Sequence, residues 1–164
     1  MKRLSIAAAL ALALAGPAAA EEAVVTYKSL SPDVAFDLAH AALAQCRKDD
    51  FQVAVVVIDR FGQPLVVLRD RYAGLGAIST ATGKAWTAVN FGRDTGALLQ
   101  AVKAGELSAG LASLPNVVML AGGLLIQSGG SSVGGVGVAG APGGDKDEAC
   151  AKAGLAAIQD KLDF

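Results

Sequence analysis

From Gln52 to Asp59 the chain reads QVAVVVID, β-branched and almost uninterruptedly apolar, the pattern of a central strand covered on both faces. On either side the period changes. Upstream, Ser31-Pro32-Asp33 marks a helix start with proline in the first turn, and Val34, Leu38, Ala41, Ala42 and Gln45 or Cys46 recur at helical spacing to about Lys48. Downstream, Asp59 to Pro64 reads as a turn and Leu65 to Arg69 as the returning strand of a hairpin. Two further helices are predicted, from Ala77 to Asn90 and from Asp94 to Lys103.

Later in the chain glycine punctuates the apolar runs. Val117 to Leu120 is short and apolar, Gly122-Gly123 interrupts, and Leu124 to Gln127 resumes as a strand. Ser128-Gly129-Gly130-Ser131 has hairpin-loop composition, and Val133 to Ala139 follows as a strand whose glycines permit close backbone packing. A last helix is predicted from about Lys146 to Leu162, with Asp145 expected to cap it and Glu148 completing a capping-box spacing. The order helix, hairpin, helices, hairpin, helix is that of an α+β domain with an antiparallel sheet.

Residues 1–20 stand apart from this pattern. Lys2 and Arg3 precede an apolar stretch, Leu4 to Ala15, too short to span a bilayer, and Ala18-Ala19-Ala20 supplies small residues for cleavage. A secretory signal peptide is expected there, leaving residues 21–164 as a single domain in the periplasm or outside the cell. Losing Lys2 and Arg3 takes the 14 basic residues to 12 against 15 acidic ones, a net charge of about −3, which argues against a nucleic-acid partner. After Ala20 no apolar run reaches membrane-spanning length, so no membrane partner is expected once the signal is removed.

Several motifs fail on context. Gly135, Gly137 and Gly140 spell GxGxxG, but the carboxylate a dinucleotide fold requires would be Asp160, at the end of the final predicted helix and not after a second strand. Gly83-Lys84 lacks the hydroxyl residue of a phosphate loop, because Ala85 follows. One histidine and two separated cysteines make no zinc-type cluster. Cys46 and Cys150 admit two readings: a disulfide, which would place the first and last helices on one face of the sheet, or two buried thiols acting as small apolar residues.

Four blocks carry a resemblance: QVAVVVIDRFGQPLVVLRD, TGKAWTAVNFGRDT, AGGLLI and GGVGVAGAPGGDKDEACAKAG. In order and spacing they resemble the GlcG/HbpS family of haem-binding proteins, also called the haem-degrading domain family, over about Leu30 to Leu162. The resemblance implies a profilin- or PAS-like fold, an antiparallel sheet of about five strands flanked by helices, and a homo-oligomer, commonly an octamer. It implies an exported protein that captures, buffers or senses haem. Two alternatives remain: an enzyme that degrades haem or acts on a small hydroxy acid, and a periplasmic accessory or structural oligomer with a protein partner.

Haem requires an apolar slot, cationic or hydroxyl groups for its propionates and an axial donor to iron. Lys84, Trp86 and Thr87 lie close together on a predicted helix flanked by Arg69, Arg71 and Arg93, and form the expected ligand-facing cluster. Each has an ordinary reading too: Trp86 as core, Lys84 and Arg93 as a solvated helix face. His40 is the sole imidazole and so the candidate iron ligand, although a partly buried structural histidine is the commoner outcome at such a position; Met119 is the second candidate donor, with a core methionine as its ordinary reading. The paired Glu-x-x-Glu pattern associated with iron in some family members is missing.

Overall fold

In the structure, a computed structural model, residues 23–163 are described. The expected signal peptide lies outside them. Ser31 starts helix α1 (Pro32–Lys48) by accepting from the Val34 amide at 3.4 Å, with Pro32 in the first turn and Arg47 and Lys48 at the electronegative end. There follow β1 (Ala54–Asp59), β2 (Pro64–Arg69), α2 (Ala77–Phe91), α3 (Thr95–Lys103), a 3-10 turn (Ala109–Ser113), β3 (Gly123–Ser128), β4 (Ser131–Ala139), α4 (Gly144–Ala156) and a second 3-10 turn (Gln159–Lys161). Among the described residues no helix is long and apolar enough to cross a membrane.

The strands form one antiparallel sheet in the order β2-β1-β4-β3. β1 is interior, and its residues divide between two cores. Val55 and Val57 pack with Leu38, Ala42 and Ile158 beneath α1 and α4, whereas Ala54, Val56 and Ile58 pack with Ala77, Ala81 and Ala85 of α2. Both faces of β1 are dry, which is why QVAVVVID shows no polar alternation.

Three expectations are corrected. Four strands are observed among the described residues where the resemblance implied about five. The apolar run Val117–Leu120 adds no strand: Val117 N donates to Leu114 O and Val118 N to Thr87 Oγ1 at 2.9 Å, so the run is tied to a helix side chain and not to a sheet edge. Nor does Asp145 cap the last helix. The backbone of Gly143 and Gly144 starts α4 before Asp145 is reached, and no side chain caps it. Asp145 lies exposed in the first turn, and Glu148 bonds Lys152 at 2.5 Å, raising that ammonium's pKa. The helix is also shorter than expected, ending at Ala156.

Gly137 accounts for how closely α2 lies on the sheet. A Cβ there would overlap the Ala81 carbonyl and the Ala85 amide, so only glycine lets α2 sit directly on β4. On the opposite face, α1 and α4 are joined by a disulfide between Cys46 and Cys150, both fully buried, with Cα atoms 5.4 Å apart. The bond closes a loop with ends 104 residues apart, worth about 4–5 kcal/mol of unfolded-state restriction in the chain-entropy account.

Denatured protein should therefore show no free thiol before reduction and two after it. Cys46→Ser should lower unfolding free energy by up to about 5 kcal/mol. Equal thiol counts with and without reductant would contradict the bond.

Candidate functional site

The inward stripe of α2 is Ala77, Ala81, Lys84, Ala85 and Ala88, helical spacing that puts a lysine in a row of alanines. Lys84 is 1% exposed. Its Nζ donates to Asp147 Oδ2 at 2.6 Å and to the Val138 carbonyl at 2.8 Å. Asp147, on the first turns of α4, is 4% exposed, and its Oδ1 accepts from the Ala141 amide at 3.0 Å. One buried ion pair thus joins α2, the end of β4, the Gly140–Gly144 turn and α4. A lone charge at this depth would be severely unfavourable, and the pairing with further hydrogen bonds is what makes it tenable.

Thr87, one turn on, is also buried. Its hydroxyl donates to Gly83 O at 2.7 Å and accepts from Val118 N, holding the 117–118 segment against α2. Trp86 points the other way and is half-buried between two clefts. One, of about 470 Å3, is lined by Ser79, Thr82, Trp86, Val117 and Val118 among others; the second, of about 260 Å3, by Arg60, Phe61, Trp86 and Asn90 among others. A third cleft of about 440 Å3 reaches the ion pair, between Gly74, Ala77 and Thr80 on one side and Leu120 with the Gly140–Gly144 turn on the other. Leu120, which lines the third cleft, is exposed, and so are Tyr72, Leu75, Ile78 and Leu114, each within two residues in sequence of one that lines a cleft, Leu75 completely. Exposed apolar residues near clefts are a candidate binding surface.

The structure divides the residues expected at the site. Lys84 and Thr87 face inward with their polar groups engaged, while Trp86 faces the clefts. Arg69 is exposed and donates to Ala73 O at 2.6 Å, and Arg71 lies 5.1 Å from the Tyr72 ring, so both stand near the start of α2. Arg93 is exposed beyond the opposite end of α2, roughly 20 Å away along the helix. His40 is exposed on α1, stacked on Phe36 at 6.0 Å, across the sheet from α2. Met119 is half-buried in the segment between the two larger clefts.

Sequence reasoning missed Asp147 and the exposed apolar residues. The stripe Ala77, Ala81, Ala85, Ala88 could have shown Lys84 to be buried and in need of an acid. Nothing local to Leu75 or Leu120 shows them uncovered. Among the described residues no group of three or more His, Cys, Asp or Glu is placed to hold a metal ion.

Replacing one partner of the pair should be far worse than replacing both. Lys84→Met or Asp147→Leu alone should lower unfolding free energy by about 3–5 kcal/mol, and the double variant by clearly less than their sum, as read from denaturant midpoints. Additive losses would show the charges to be uncoupled.

Known proteins agree with this architecture. A double Glu-to-Asp variant of Streptomyces reticuli HbpS superposes with a TM-score of 0.78 at 37% identity, over 88% of this chain and 97% of that one. The PduOC:haem complex gives 0.74 at 31% identity, over 79% and 95%. Klebsiella pneumoniae ORFY gives 0.79 at 22% identity, over 85% and 97%, a likeness of fold alone. No curated protein gives a significant match. The family model for haem-degrading proteins of the HbpS-like type matches residues 30–156, and the chain belongs to that family.

Proposed function

We propose that the protein is an exported haem-binding protein that captures haem on the outer face of α2. The observation that carries this reading is the set of clefts along α2, with Trp86 between two of them and exposed Leu120 at a third, and with exposed Leu75 and Ile78 next in sequence to the lining residues Gly74 and Ala77. A relative 31% identical, PduOC, is solved as a haem complex, which supports haem as the ligand here.

The residues present fit the group. Leu75, Ile78, Leu120 and Trp86 would cover the ring, and Arg69 and Arg71 would meet propionates, charge-assisted contacts that fix orientation. Met119 offers a thioether in the segment between the clefts. His40 faces away across the sheet, so it would reach the same haem only from a neighbouring subunit of a homo-oligomer. Bound haem would supply a redox-active, strongly absorbing iron centre. Lys84 acts behind this surface: with Asp147 it fixes the floor of one cleft. Export is supported by the buried Cys46–Cys150 bond, since such bonds persist in oxidising compartments.

Hemin titration of the mature protein tests the reading. Wild type should give a saturable Soret shift, retained in His40→Ala and weakened about tenfold or more in Leu75→Asp, which puts a charge on the apolar surface. No shift in wild type would refute haem binding. Loss in His40→Ala with Leu75→Asp unchanged would move the site to α1, and bleaching of the bound spectrum under reductant would favour a haem-degrading enzyme over capture.

A further inference from the structure

Between α3 and β3 the chain crosses the outer side of α2 without burying a residue. From 108 to 121 every position is exposed or half-buried, although α2 and β3 both carry buried residues. The two ends are tied down. Glu106 N donates to Ala101 O at 2.9 Å, closing α3, and Val138 N donates to Gly122 O at 2.9 Å, beside the start of β3. Gly105 (φ 76°) and Gly122 (φ 114°) flank the segment, both in backbone conformations that favour glycine.

Between these anchors the hydrogen bonds are local. Leu111 N donates to Ser108 O at 3.2 Å, Leu114 N to Leu111 O at 3.2 Å and Val117 N to Leu114 O at 3.3 Å. Among the described residues one hydrogen bond leaves the segment, from Val118 N to Thr87 Oγ1 at 2.9 Å. At the same place α2 is bare: a Cβ on Gly83 would overlap the Val118 side chain, so glycine is what lets the segment rest on the helix. The crossing divides two clefts. That of about 470 Å3 lies between Asn116, Val117 and Val118 on one side and Ser79, Thr82 and Trp86 on the other, and that of about 440 Å3 lies by Leu120, over Ala77, Thr80 and Lys84. A segment with no buried residue, local hydrogen bonds and one outside tie belongs to the low-stability end of a fold.

We propose that residues 108–121 form a strap that lifts from α2 as a unit and joins the two clefts into one longer opening, with the Thr87 hydroxyl as its latch. As a gate for haem the strap rests on the reading given above; its lifting does not.

Trp86, the single tryptophan of the chain, lines the cleft under the strap and reports the motion without haem. Two variants free the strap by different routes: Thr87→Val removes the latch, and Gly83→Ala puts a methyl beneath Val118 while keeping Thr87. Acrylamide quenching of Trp86 should rise in both, with red-shifted emission. Hemin association should quicken about two- to tenfold in Thr87→Val, the factor expected from one lost hydrogen bond. In Gly83→Ala the Val118 amide should exchange about five- to a hundredfold faster than in wild type, while α2 and β1 keep their protection. Unchanged quenching in either variant overturns the strap, as does unchanged Val118 exchange in Gly83→Ala or a loss of protection that spreads through α2 and the sheet. Increased quenching with unaltered hemin association overturns its role as a gate. A wild type without any Soret shift refutes haem binding instead, and quenching and exchange then decide the strap by themselves.

Discussion

The α2 side of the molecule depends on the buried contact between Lys84 and Asp147. A lysine ammonium 1% exposed must find acceptors inside the protein, and those it finds are Asp147 on α4 and the carbonyl of Val138 at the end of β4. Asp147 in turn receives the amide of Ala141 and so holds the glycine-rich turn between them. Gly122 leaves room for the arrangement: a Cβ there would press on both the Lys84 ammonium and the Asp147 side chain. Buried pairs of this kind add little net stability over an apolar substitute, but once one partner is present the other becomes obligatory. Here that requirement fixes where α4 begins and how the cleft beside Leu120 is floored.

The two faces of the sheet are secured in different ways. Under α1 and α4 the core is apolar and crossed by a disulfide, a non-directional burial reinforced by one covalent link. Under α2 the core is small, made largely of alanines against glycine-bearing β4, and direction comes from hydrogen bonds by Lys84 and Thr87. Small residues bring the helix close, and the polar groups fix what packs beside it. The outer side of α2, with Trp86 between two clefts, is thereby fixed relative to the sheet from beneath.

Much of the fold was legible because it follows from period and punctuation. β1 is long, β-branched and dry on both faces, so its pattern admitted little else, and Ser31-Pro32 set the start of α1 within one residue. The start of α4 was misread because Asp145 and Glu148 have capping-box spacing, whereas Gly143-Gly144 begin the helix without a side-chain cap. The site was legible only as a segment. TGKAWTA does mark the helix beside the clefts, yet Lys84 and Thr87 serve the interior and Trp86 the exterior, a division set by which side of α2 meets β4. Composition could not separate them. His40 lies on the opposite layer for the same reason, since sequence does not say which face of a sheet a helix will cover.

Hydrogen exchange in wild type and in Asp147→Asn tests most directly whether the ion pair assembles the α2 side. Protection should fall together in the N-terminal half of α2, the Gly140–Gly144 turn and the first turns of α4, while the β1–β2 hairpin and the disulfide-linked part of α1 keep theirs. A uniform loss across the domain, or unchanged protection around Lys84, would contradict a local clasp at this site.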